Sequence, residues 1–322
     1  MNNITAMTVP AVSTPSIGSS AMLVELTVGV WTARKKDHQA SDAVTESNFA
    51  AKGMANVTKR LIKCDELEAV QKFAGNARNT HYAMTMPWSD GGSRLLPTKQ
   101  YFNYQQTLSG LEAEFNTLVN SFVHAYAWEV SQAQASLGNL FSHGEYPSAD
   151  AVAGKFKFRV AYTPLPDAGD FRIDVGISAQ EQLKASYAEH YKNQLATAMG
   201  DVWQRTHLAL TNMSTKLDYE DTDEWEDYRT KPSEANPYGV VRRRRVGVNQ
   251  FKDSLVSNAL NMVELLGVCN VTNDPAMEMM QRTLSNAFRG VTAGGLREDE
   301  GMRKEVKECV DHALANIPSL GW

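Results

Sequence analysis

Apolar residues recur at Tyr101, Tyr104, Leu108, Leu111, Phe115, Leu118, Phe122, Tyr126, Val130, Ala133, Leu137 and Leu140, in steps of three and four. That spacing keeps one narrow seam on a single helix. At about 1.5 Å per residue, a helix over residues 101–141 runs roughly 60 Å and needs a long partner. The same spacing returns over residues 179–217, at Leu183, Tyr187, Tyr191, Leu195, Met199, Val202, Thr206, Leu210, Met213 and Leu217. Two such seams separated by a short insert fold back most economically as a long antiparallel, coiled-coil-like pair. Gly110 and Gly138 each cost the first helix about 1 kcal/mol relative to Ala, and so mark candidate bends or close crossings.

A period of two marks the strands. Val24, Leu26, Val28 and Val30 alternate with Glu25, Thr27 and Gly29, then Phe156, Phe158, Val160 and Tyr162 alternate with Lys155, Lys157, Arg159 and Ala161. After a turn at residues 164–169, Phe171, Ile173, Val175 and Ile177 alternate with Arg172 and Asp174. These runs predict a small antiparallel sheet with one apolar face and one wet, partly basic face. Residues 32–39 are polar and basic, and residues 43–60 have helical composition with weak periodicity. Asp65 is a candidate cap for a clearer helix with Leu67, Val70, Phe73, Ala77, His81 and Met84 on one side.

The eleven residues 87–97 hold Trp88, Asp90, two glycines, Arg94 and two prolines. Turn chemistry accounts for each as an ordered connector, while the aromatic, the carboxylate and the arginine together also fit a ligand or partner contact. Beyond Leu217 come an acidic block, a Pro/Asn/Gly stretch and then Arg242, Arg243, Arg244 and Arg245. Opposite signs so close in sequence fold the segment on itself or dock it on a neighbour. Helical stripes return at Phe251, Leu255, Leu260, Val263 and Leu266, then at Met277, Met280, Leu284 and Phe288 after an Asp274-Pro275 start signal. Gly294-Gly295 precede a last stripe at Met302, Val306, Cys309, Ala313 and Ile317. The expected fold class is α+β, mainly α: the long helical pair, the small sheet and packed C-terminal helices. The expected divisions are a flexible tail over 1–21, the hairpin and sheet over 22–217, an acidic-then-basic linker over 218–248 and a helical region over 249–322.

Composition narrows the function. A net charge of −5 argues against nucleic-acid binding over the whole surface but leaves local basic patches open. The two patches are the Lys155, Lys157, Arg159 and Arg172 face and the run Arg242 to Arg245. Three widely spaced cysteines suggest reduced thiols in a cytosolic compartment. No apolar run approaches a membrane span, and the first twenty residues lack the pattern of a secretory signal. Local motifs for metalloproteases, zinc ribbons, serine hydrolases, dinucleotide binding and phosphate loops are missing. No catalytic, cofactor or metal residue is therefore nominated, and a non-enzymatic role is expected.

Residues 28–35 (Val-Gly-Val-Trp-Thr-Ala-Arg-Lys), His81-Tyr82 followed by Met86-Pro87-Trp88-Ser89-Asp90 and Arg94-Leu95-Leu96-Pro97, and residues 166–172 form a set of phrases. The set resembles a bacteriophage- and plasmid-encoded family catalogued as a domain of unknown function. The resemblance covers residues 22–217 and extends more weakly over 251–275. It implies an accessory or adaptor role beside MoxR-type AAA+ ATPases or von Willebrand A-domain proteins, in the host cytoplasm where the gene is carried by a phage. The expected function is an interaction or assembly protein that self-associates or serves such an ATPase. The alternative is a nucleic-acid-binding accessory protein that uses the local basic patches.

Overall fold

A computed structural model describes residues 17–166, 177–218, 225–230, 232, 236–245 and 252–318. In chain order the elements are β1 (Ala21–Gly29), β2 (Arg34–Asp37), α1 (His38–Ser47), β3 (Val57–Arg60), α2 (Asp65–Met84), β4 (Met86–Pro87), β5 (Arg94–Pro97), α3 (Tyr101–Leu137), α4 (Ala149–Ala153) and β6 (Lys157–Pro164). They continue with α5 (Ile177–Leu217), β7 (Trp225–Arg229), β8 (Val241–Arg245), α6 (Ser254–Cys269), α7 (Pro275–Ala287), α8 (Ala293–Glu298) and α9 (Glu300–Ala315). The class is α+β and mainly α, as the periodicities predict.

Two compact units divide these elements: Met22–Thr85 with Asp90–Pro164, and Met1–Ala21 with Met86–Ser89 and Leu165–Trp322. In the first, α3 buries Tyr104, Leu108, Phe115, Val119, Phe122, Tyr126 and Ala133, the expected seam. Its partner is α2, which buries Leu67, Val70, Ala74, Ala77 and His81. The contacts His81 to Tyr104 and Phe73 to Phe115 run in opposite senses along the two helices, so the pair is antiparallel. The long antiparallel partner of α3 is thus α2, within its own unit, and α5, the partner expected from the sequence, belongs to the other unit. Both stripes were legible along the chain, whereas the choice of which one meets which was not.

Beneath this pair lies the sheet. β1 and β6 are antiparallel, with Val24 opposite Tyr162, Leu26 opposite Val160 and Val28 opposite Phe158. Their apolar face joins two clusters, one around Val28, Phe115, Phe122 and Phe156 and one around Val24, Leu96, Tyr104 and Leu108. The second strand expected after β6 falls on residues 171–176, outside the described residues, and Ile177 opens α5 instead. Residues 34–37, read from the sequence only as polar and basic, and residues 57–60, at the end of the stretch with helical composition, form a two-stranded antiparallel ribbon. Gly110 lies inside the continuous α3 and marks no close crossing, since a Cβ added there meets nothing within 4 Å. Gly138, at φ +50°, caps the end of α3. The cap of α2 is Cys64, with Asp65 in the first turn.

In the second unit α5 packs on α6 and α9. Its buried seam runs through Tyr191, Ala198, Val202, Thr206, Leu210, Met213 and Leu217. Ser214 donates to Asp311, and Lys307 bridges Asp311 at 2.8 Å and Asp218 at 3.6 Å. Asp274 caps α7 through Ala276 N–H at 2.9 Å, with Pro275 in the first turn, as predicted. Gly294 and Gly295 lie inside α8, the short helix before α9. Leu260 and Cys309 are exposed, and Ala259 and Val310 take the buried places. Phe251 lies outside the described residues.

Candidate anion-binding face

The ribbon of β2 and β3 sets Arg34 directly opposite Arg60, Lys35 opposite Lys59, Lys36 opposite Thr58 and Asp37 opposite Val57. Residues opposite one another in an antiparallel pair share a face, and the faces alternate along the strand. One face therefore carries Lys35, Asp37, Lys59 and Val57, and the other carries Arg34, Lys36, Thr58 and Arg60. The first packs inward. Lys59 bridges Asp37 at 3.1 Å and Glu145 at 2.8 Å, and donates to the Leu140 carbonyl at 2.7 Å. Those partners, Glu145 foremost, hold the Lys59 ammonium above its usual range. Hydrogen bonds from the Ala40 amide and from Lys59 hold the Asp37 carboxyl below its own.

Every side chain of the second face is exposed. Like charges directly across an antiparallel pair repel, so the Arg34–Arg60 pairing opposes the fold locally. The ribbon is held in spite of this by anchors at its base. Trp31 packs on Phe122 and Tyr126 with ring centroids 6.2 and 5.9 Å apart, and its carbonyl accepts from Gln71 at 3.0 Å. The Ala33 carbonyl accepts from Leu61 N–H at 2.7 Å, and Tyr146 donates to the Leu61 carbonyl at 2.8 Å.

Where the ribbon meets α2, a groove of about 350 Å³ opens, lined by Thr32, Arg34, Arg60, Lys63, Glu68 and Lys72 over an apolar floor of Ile62 and Leu67. Four basic side chains face one carboxylate. Glu68 lies 4.0 Å from Arg60, with both side chains more than half exposed, so their pairing is weak. Among the described residues no ion pair engages Arg34, Lys36, Lys63 or Lys72. A concave site with excess positive charge and hydrogen-bond donors suits a phosphate or carboxylate.

The residues nominated from the sequence are placed elsewhere, and no single site gathers them. Trp88 is buried edge-on against Tyr191 of α5, 5.3 Å between centroids, and belongs to the second unit. Asp90 is exposed in the first. Arg94 donates to the Thr85 hydroxyl at 2.7 Å and its carbonyl at 3.0 Å, with its guanidinium 4.9 Å from the Tyr82 ring centre. That is the connector role. Lys155 just before β6, and Lys157 and Arg159 within it, are exposed; among the described residues β6 is the outermost strand of the sheet, whose wet face also carries Glu25 and Thr27 of β1. Arg172 lies outside the described residues. Arg242, Arg243, Arg244 and Arg245 are described by backbone register alone: they stand opposite Tyr228, Asp227, Glu226 and Trp225. The acidic-then-basic segment thus folds on itself as an antiparallel hairpin.

Beside the groove, Cys64, Glu66 and Glu129 bring one potential metal ligand each within 4.8 Å of one another. Burial pushes the Cys64 thiol up to about 11, and burial together with Glu66 and Asp65 raises the Glu129 carboxyl. Three ligands, with Cys64 and Glu129 held toward their protonated forms, fall short of a structural zinc set.

The family of proteins of unknown function DUF3150 matches residues 19–211 of this sequence. The chain belongs to that family. The match takes in all of the first unit, so the basic face lies within the DUF3150 region, while the β7–β8 hairpin and α6 to α9 lie beyond it. Among curated proteins and solved structures nothing matches. Among the described residues no helix is long and apolar enough to cross a membrane.

Sequence reasoning missed Arg34, Lys36, Arg60, Lys63 and Lys72. The only signal was the polar, basic character of residues 32–39, because the pairing that joins 34 to 60 is not local.

Proposed function

We propose that this DUF3150 protein is a non-enzymatic interaction protein that docks an anionic partner on the basic face of its first unit. The observation that carries the reading is the placement of Arg34 opposite Arg60 beside Lys63 and Lys72, around a groove with a single carboxylate. An anion bridging these groups removes the repulsion that the face bears on its own, so the binding energy includes relief of a cost already present in the fold. The net charge of −5 keeps the interaction local and the rest of the surface repulsive toward polyanions.

This reading agrees with the accessory or adaptor role implied by resemblance to phage- and plasmid-encoded proteins found beside AAA+ ATPases. An adaptor needs one surface for its cargo and another for its motor, and the basic face supplies the first. Titration of the full chain with inorganic polyphosphate tests the docking surface. Binding at about 50 mM salt that weakens steeply by 200 mM is expected, as is its loss in the double variant Arg34→Glu/Arg60→Glu. Equal affinity in the double variant would overturn the assignment.

A further inference from the structure

Nine residues, 48–56, join α1 to β3 and lead into the basic face at Thr58. Their long side chains Phe49, Lys52 and Met54 are all exposed, and Phe49 is 99% exposed. The Phe49 backbone sits at φ +53°, a conformation that bulky residues rarely adopt. It is nevertheless fixed. Phe49 N–H donates to the Glu46 carbonyl at 3.1 Å, Ala50 N–H to the Thr45 carbonyl at 3.0 Å and Met54 N–H to the Ala51 carbonyl at 3.2 Å. An aromatic ring fully exposed on a backbone held at an uncommon φ is a candidate contact group.

Phe49 follows α1, which starts directly after β2, and the loop it opens runs back into β3 at the Lys36–Thr58 end of the basic face. Counting from the loop, Lys36 stands opposite Thr58 and Arg34 opposite Arg60, and the groove with Lys63 and Lys72 follows. The strand from Val57 to Arg60 spans about 10 Å. A row of cations with an exposed aromatic ring on the adjoining loop matches a chain that alternates phosphates with flat bases. An inorganic anion has no group to stack on the ring, and the carboxylates of an acidic peptide have none either. A duplex keeps its bases stacked away from it.

We propose that Phe49 is a base-stacking platform and that the anionic partner of the basic face is therefore single-stranded nucleic acid. The proposal rests on the docking reading given above. Lys36, Arg34, Arg60 and Lys63 hold successive phosphates, and Phe49 takes a base at the loop end. Recognition of this kind tolerates any base sequence, because every base offers a π-face.

The test compares three probes on the full chain: a fluorescently labelled oligothymidylate, inorganic polyphosphate and vesicles of anionic phospholipid. Phe49→Ala is expected to weaken oligothymidylate binding about tenfold or more. Phe49→Trp is expected to restore it, and neither change is expected to alter polyphosphate binding. Unchanged oligothymidylate affinity in Phe49→Ala, with polyphosphate still bound, overturns the stacking role and leaves the docking face standing. Equal loss of both probes also overturns it, by showing that Phe49 supports the ribbon. Phe49-dependent binding to the vesicles without oligothymidylate binding assigns the loop to a membrane surface and refutes the proposal. No binding of any probe refutes the docking reading as well.

Discussion

His81 makes the packing of α2 on α3 sensitive to acid. It is 2% exposed, its Nδ1 lies 2.8 Å from the hydroxyl of buried Tyr104, and burial, with Arg94 nearby, lowers its pKa from 6.5 to about 4. At neutral pH the imidazole is neutral in both the folded and the unfolded chain. As pH falls below 6.5 the unfolded chain takes up a proton that the folded chain refuses until about pH 4, so stability is lost across that window. With pKa values of 6.5 unfolded and about 4 folded, the loss between pH 7 and pH 5 is about 2 kcal/mol, and the full difference of about 3 kcal/mol is reached below pH 4. Urea titration followed by the near-ultraviolet signal of the Trp31 cluster reads the first unit at pH 7, 6 and 5. His81→Gln keeps a polar partner for Tyr104 without a titrating ring, and its stability is expected to fall less over the same range by about that 2 kcal/mol. Parallel pH profiles for the two proteins would refute the assignment of the acid sensitivity to His81.

Two other consequences concern the helices and the thiols. Gly110 sits on an exposed stretch of α3 with open space where an added methyl group would stand, so Gly110→Ala is expected to stabilise the first unit by about 1 kcal/mol in thermal or urea unfolding. Cys309 is exposed, whereas burial pushes the Cys64 thiol up to about 11 and the Cys269 thiol up to about 12. A thiol reagent at pH 8 is expected to label Cys309 rapidly and the other two only upon unfolding, with mass spectrometry of the labelled peptides as the check.

The helices and the principal strands were legible because their burial is periodic along the chain. The α3 seam appeared at Tyr104, Leu108, Phe115, Phe122 and Tyr126, and the β1 and β6 alternations ran from Val24 and from Phe156. Partner choice was not legible. A stripe with 3.5-residue spacing shows that a helix buries one side, and both α2 and α5 offer a matching side; the short connector over residues 87–97 brings α2 back along α3. The basic ribbon was harder to read, because Arg34, Lys35 and Lys36 show no alternation of apolar and polar residues. What makes them a strand is pairing with residues 57–60 and the burial of Lys59 between Asp37 and Glu145, a contact that spans 86 positions of the chain. The candidate face is therefore a product of the tertiary fold, whereas Arg242 to Arg245, the most conspicuous basic run, stands in register with an acidic strand.

The salt dependence of oligonucleotide affinity tests the basic face most directly, since a single strand presents phosphates whether or not its bases are read. With four phosphate contacts, from Lys36, Arg34, Arg60 and Lys63, the logarithm of the binding constant is expected to fall with the logarithm of salt concentration at a slope of about −2.8. The double variant Arg34→Glu/Arg60→Glu is expected to halve that slope or abolish binding. A slope near zero in the native protein, or one that the double variant leaves unchanged, would contradict the account.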